Sequence, residues 1–152
     1  MKVLSAALAV LLAVIAALHA YWGLGGLWPG ATERELIDTV IGDPTFAAMP
    51  PLWMCFAVTG ALLISAGIAV VSGRARGGLL RWGLIVLTLG IAAVFALRGG
   101  AGIAVALGIV EMSPPLSEPF ATLDAYFYSP LCLLLGAGFS ALCLHQLVGE
   151  RS

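Results

Sequence analysis

Three ionisable side chains stand in this sequence where an apolar chain has little reason to keep them: His19, Arg98 and Asp124. An imidazole exchanges a proton near neutral pH, a guanidinium offers five N–H donors, and a carboxylate accepts from both. Brought together, they form a set that suits two kinds of chemistry. One is recognition of a polar head group by Arg98. The other is acid–base catalysis, in which His19 and Asp124 exchange a proton with a substrate while Arg98 steadies developing negative charge. Tyr21, Trp22, Tyr126 and Tyr128 lie beside them in sequence. The candidate ligand-binding set is therefore His19, Tyr21, Trp22, Arg98, Asp124 and Tyr128. Each residue also has a plainer reading: Arg98 snorkels to lipid phosphates, Asp124 braces a loop, and His19 bonds a neighbouring carbonyl.

The elements that must position this set are membrane spans. Of 152 residues, 61% are hydrophobic and 10% charged, with a mean hydropathy of +1.07, against about 25% charged in a soluble domain. The apolar residues fall into four blocks, about 3–22, 51–72, 79–97 and 130–148. Each block is long enough to cross roughly 30 Å of hydrocarbon. The pattern predicts one domain over 1–152, an all-α integral membrane protein folded as an antiparallel four-helix bundle, with short interfacial helices in the outer loops. A net charge of −1 argues against nucleic acid as a partner. Lys2 followed by an apolar run resembles a signal peptide. Cleavage after Ala20, however, would put Leu18 where a small residue is preferred, so a retained span is expected.

Along the chain, the glycines at 23, 25 and 26 and then Pro29 close span one. Thr32-Glu33-Arg34-Glu35 is a capping box, and Leu36, Ile37, Val40 and Ile41 give the following short helix one apolar face, suited to the membrane surface. Arg98-Gly99-Gly100 predicts a break in span three, because one helix over 79–110 would be about 47 Å long. Ser129 as N-cap and Pro130 as first helical residue predict the start of span four. Small residues recur at Ala9, Ala13 and Ala17, at Ala57, Ala61, Ser65 and Ala69, and at Thr88, Ala92, Ala96 and Gly100, with Gly136 and Ser140 in span four. Such stripes let helices approach closely.

Basic residues set the expected orientation. Lys2, Arg74, Arg76, Arg81 and Arg151 fall on one side and only Arg34 and Arg98 on the other. The expectation is a plasma-membrane protein with both termini cytoplasmic, which brings His19, Arg98 and Asp124 to the outer end of the bundle. The cysteines have no Cys-x-x-Cys spacing and no histidines at zinc-site spacing, so neither a metal nor a cofactor is expected. Cys55 and Cys132 could pair if spans two and four touch, which would point to redox chemistry with a quinone-like partner. The simpler reading is two packed apolar thiols. His145, near the opposite membrane face, is too far from His19 to share a ligand.

The combination His19-Ala-Tyr-Trp22, Gly25-Gly26, Trp28-Pro29, Leu97-Arg98-Gly99, Phe120-x-x-Leu123-Asp124 and Tyr128-Ser129-Pro130-Leu131-Cys132 resembles an uncharacterised family of small bacterial four-span membrane proteins, a domain of unknown function. The resemblance implies a shared fold and a shared site, and carries no activity. Residues 99–110 are richer in Gly, Ala and Ile than that family's pattern after its arginine.

The leading expectation is a membrane protein whose outer polar cluster binds a lipid or another lipophilic, amphipathic small molecule, with an elongated apolar cavity opening near Arg98. A small intramembrane enzyme and a structural or accessory subunit, homo-oligomeric through its Ala and Gly faces, are the alternatives.

Overall fold

Helices, the longest of them dictated by the apolar blocks, make up most of the computed structural model, which describes residues 1–73 and 79–148. The elements are α1 (Lys2–Gly23), α2 (Glu33–Val40), α3 (Leu52–Ser72), α4 (Leu79–Ala106), α5 (Glu118–Leu123), a π-helical turn (Asp124–Tyr128) and α6 (Ser129–Val148). Among the described residues, four helical stretches are long and apolar enough to cross a membrane: Lys2–Gly23, Leu52–Ser72, Leu80–Ala106 and Glu118–Val148. The chain is thus a multi-pass membrane protein.

The spans pair as two antiparallel hairpins, α1 with α3 and α4 with α6. Gly23 ends α1 against Cys55 and Phe56 at the start of α3, and Gly73 ends α3 against Ser5. In the second hairpin Gly99 meets the Ser129 carbonyl and Leu133, while Gly136 lies against Ala92 and Ala96. The hairpins join through a thin shared core of Leu8, Leu12, Ala66, Ala69, Ala92, Leu135, Phe139 and Leu142. Phe95 stacks on Phe139 at 6.3 Å between ring centres.

Four expectations are corrected. Span three does not break at Arg98-Gly99-Gly100: α4 runs on to Ala106 as one helix of 28 residues, about 42 Å long. It therefore projects beyond the hydrocarbon or tilts. The glycines cost intrinsic helix stability, but Gly99 and Gly102 face the opposing helix so closely that a side chain would collide with it. Secondly, span four does not begin at a Ser129 N-cap. Helix runs from Glu118 to Val148, and Ser129 is wholly buried within it. Pro130 lacks an N–H and would crowd the ladder of an ordinary α-helix. The π-turn just before it shifts the ladder, with the Ser129 N–H donating to the Asp124 carbonyl.

Thirdly, the small-residue stripes of α1 and α3 are packing faces only in part: Ala13, Ala17, Ala57 and Ala61 are exposed, whereas Ala69 is fully buried in the core and Ala9 packs against it. The buried faces are Ser5, Leu8, Leu12 and Ala16 on α1 and Cys55, Thr59, Ala66, Ala69 and Ser72 on α3. On α1, Leu8 and Leu12 fill the interhelical space, and the small residues of α3 leave room for them. Fourthly, α2 does not turn its apolar face to the membrane. Leu36 and Ile37 are each 1% exposed, and α2 packs on α5. Thr32 caps the helix as read, the Glu35 N–H donating to Thr32 Oγ1 at 3.2 Å, while the return bond to the Glu35 carboxylate comes from the Ala31 N–H at 2.8 Å, one residue before the cap. Arg74, Arg76, Glu150 and Arg151, which carry part of the orientation argument, lie outside the described residues.

Gly42 closes α2 at φ +75°, and a Cβ there would enter the Phe120 ring. Its carbonyl accepts the Ser117 N–H at 2.8 Å, which ties the first loop to the second. Gly42→Ala is expected to cost about 1–2 kcal/mol from the left-handed backbone alone. Thermal unfolding in detergent should show the loss.

Candidate functional site

Arg98 sits 19 residues after Leu79 on α4, roughly 28 Å of helical rise, which puts it about one bilayer core away from the start of that helix. The π-turn delivers Asp124 to the same level. Its Oδ1 accepts from Arg98 Nη2 at 2.6 Å, and Arg98 Nη1 donates to Ser129 Oγ at 3.3 Å. At 100° per residue, an α-helix would leave Asp124 and Ser129, five residues apart, separated by about 140° around the axis. The wider π-turn swings both onto the face that meets α4.

The two halves of this ion pair live in different environments. The Asp124 side chain is 6% exposed and that of Arg98 43%. A buried carboxylate needs its partner, whereas the guanidinium keeps donors for something else. Gly102, one turn beyond Arg98, makes the approach feasible: a Cβ there would run into Ser129 Oγ, the Asp124 carboxylate and Arg98 Nη1.

Arg98, Gly102 and Asp124 floor an open cleft of about 540 Å³ whose walls include Ile41, Phe46, Val105, Met112 and Phe120. Its size falls within the range of small-molecule sites, roughly 300–1,000 Å³. Asp43 stands in the same cleft. Its Oδ1 accepts from the Thr45 hydroxyl at 2.6 Å and the Thr45 N–H at 2.9 Å. Those two bonds, the hydroxyl first, hold its carboxyl below the usual carboxylate range. The cleft therefore presents one cation and two carboxylates. It is a recess at the end of the bundle and not the elongated interior cavity expected, because Leu12, Leu135 and Phe139 fill the middle.

His19 is elsewhere. Its Nδ1 lies 2.9 Å from the Ile15 carbonyl, and its ring meets Trp22 edge-on at 5.1 Å. It lines a smaller cleft of about 190 Å³ between α1 and α3. Val40 and Ile41 of α2 border both clefts and stand between His19 and the ion pair. Trp22 donates from Nε1 to the Trp28 carbonyl at 2.7 Å, and Tyr21 packs on Gly26. Both therefore organise the first loop. Tyr128 donates to the Thr39 carbonyl at 3.3 Å and tilts against Phe120, fastening the π-turn to α2. Tyr126 and His145 are exposed. Cys55 and Cys132 are both free thiols. They sit on α3 and α6, which belong to different hairpins.

Of the residues singled out in sequence, the fold joins Arg98 to Asp124 and leaves His19, Tyr21 and Trp22 apart from them. Ser129, Gly102 and Asp43 belong to the site and were not expected there. Gly99-x-x-Gly102 next to an intramembrane arginine carried the signal for close approach. An Asp-x-Thr turn was the signal for Asp43.

Residues 12–139 match the family model described as "Protein of unknown function (DUF3995)". No curated protein and no solved structure matches the chain.

Proposed function

The chain belongs to the DUF3995 family of proteins of unknown function, and from that starting point we propose that its Arg98–Asp124 cleft binds the head group of a zwitterionic amphipathic molecule, with a phospholipid as the natural candidate. The observation that carries the reading is the charge pattern of the cleft. Asp124 already neutralises Arg98, so a purely anionic head would gain little attraction and would meet the Asp43 carboxylate. A zwitterion satisfies both ends, its phosphate accepting from the remaining Arg98 N–H groups and its ammonium lying towards Asp43. The apolar walls suit the upper part of a chain whose remainder stays in the bilayer. In this reading the cleft faces outward from the plasma membrane and both termini are cytoplasmic, in line with the bias of the basic residues.

The test is native mass spectrometry of the full chain taken from vesicles holding equal amounts of phosphatidylethanolamine and phosphatidylglycerol. One phosphatidylethanolamine is expected to stay bound in preference to phosphatidylglycerol. Asp43→Asn, at a loop position outside the spans, should erode that preference several-fold. Equal retention of the two lipids, or a preference indifferent to Asp43→Asn, would sink the reading.

Acid–base catalysis by His19 and Asp124 draws no support from two residues that line separate clefts. A structural role has one observation in its favour, the exposed Ala13, Ala17, Ala57 and Ala61, which leave smooth surfaces open to a second copy. The same spectra distinguish monomer from dimer.

A further inference from the structure

The smaller cleft collects a different chemistry. Its lining includes the imidazole of His19, the thiol of Cys55 and the thioethers of Met49 and Met54, four soft or borderline donors drawn from α1, α3 and the loop between them. The packing of the first hairpin explains how they meet. Thr59 Oγ1 lies 3.3 Å from the Ala16 carbonyl, and Gly23 abuts Cys55. His19 lies three residues after Ala16 and four before Gly23, on the helix face that these two define. It is thereby set towards the stretch of α3 bounded by Cys55 and Thr59.

Orientation of the imidazole is also settled. A carbonyl oxygen can only accept, so the 2.9 Å contact with Ile15 requires Nδ1 to carry the proton. In the neutral ring Nε2 then holds the lone pair. A ring nitrogen that donates to a backbone carbonyl while its partner nitrogen is left to bind is the usual arrangement of metal-ligating histidines. Cys55 is 8% exposed, and its Sγ makes a long contact, 3.8 Å, with the Pro50 carbonyl. A volume of about 190 Å³ is small for a drug-sized organic ligand and ample for an ion.

We propose that this cleft is a binding site for a soft monovalent metal ion, Cu(I) or its analogue Ag(I), held by His19 Nε2, Cys55 Sγ and the sulfurs of Met49 and Met54. Thioether and thiolate ligands select such ions over hard cations, and two methionines are a poor set for zinc. Binding exchanges the thiol proton for the metal: Cys55 Sγ loses H⁺ to solvent as the S–Cu bond forms, with no change in oxidation state. Val40 and Ile41 line one side of the cleft.

The experiment is an anaerobic titration of the full chain in detergent with Cu(I), competed against a chromophoric Cu(I) chelator, and repeated with Ag(I) and Zn(II). One equivalent of Cu(I) or Ag(I) should bind. Met54→Leu, which keeps volume and fold, should weaken binding at least tenfold, as should Cys55→Ser and His19→Gln. Cys132→Ser, a thiol outside the cleft, should leave it unchanged. X-ray absorption of the loaded protein should show mixed sulfur and nitrogen ligation. Absence of stoichiometric uptake, zinc binding as tight as that of Cu(I), or uptake unaffected by Met54→Leu in a protein with unchanged circular dichroism would each overturn the proposal.

Discussion

Arg98→Ala is expected to destabilise the protein by about 3 kcal/mol, because it strands the Asp124 carboxylate in a site where it is 6% exposed. Removing one partner of a fully buried pair costs roughly 3–5 kcal/mol, and the lower end applies because the Arg98 side chain is 43% exposed. The asymmetry gives a second expectation. Asp124→Ala should cost less, since the guanidinium it frees can reach water or lipid phosphate. The double variant should recover most of the loss caused by Arg98→Ala. A double-mutant cycle by chemical unfolding in micelles measures all three. Equal and additive losses would mean that the pair is not coupled.

Gly102→Ala should do comparable damage for a steric reason. The added methyl would occupy the space of Ser129 Oγ and the Asp124 carboxylate, so α4 must draw back from the π-turn. Overpacking of this kind costs about 1–3 kcal/mol, and head-group retention should be lost with it. Gly100 supplies the control. A Cβ there meets nothing within 4 Å, so Gly100→Ala should instead gain about 0.5–1 kcal/mol from better helix propensity. Opposite signs from two glycines two residues apart would show that the effect comes from the opposing helix and not from the backbone.

The glycines of α4 also show where sequence reading stops. α1 and α3 were legible to within a residue or two, because composition and length decide a span. The α2 cap was legible because Thr32 and Glu35 sit at the spacing that capping geometry demands. Gly99 and Gly100 were misleading: local propensity reads them as a break, and only the presence of α6 reveals what Gly99 accommodates. Pro130 misled in the same way, since a helix start and a π-turn both satisfy its missing donor. Arg98 and Asp124 could be matched by charge and expected depth. His19 shared their expected depth, but depth does not specify the direction around a helix axis, and a second short element, α2, came between them.

The thin join between the hairpins has a consequence for biosynthesis. α2 is synthesised between α1 and α3, yet it docks on α5, and the Ser117 hydroxyl reaches back to the Asp38 carbonyl at 2.5 Å. A nascent chain that has inserted only its first hairpin therefore carries a short amphipathic segment with Leu36 and Ile37 uncovered. It can complete its cap only after residues beyond 117 have left the ribosome. Until then those two side chains form an exposed greasy patch that quality-control proteases can read. A truncation before α5 should accordingly be cleared faster than one lacking only the last turns of α6.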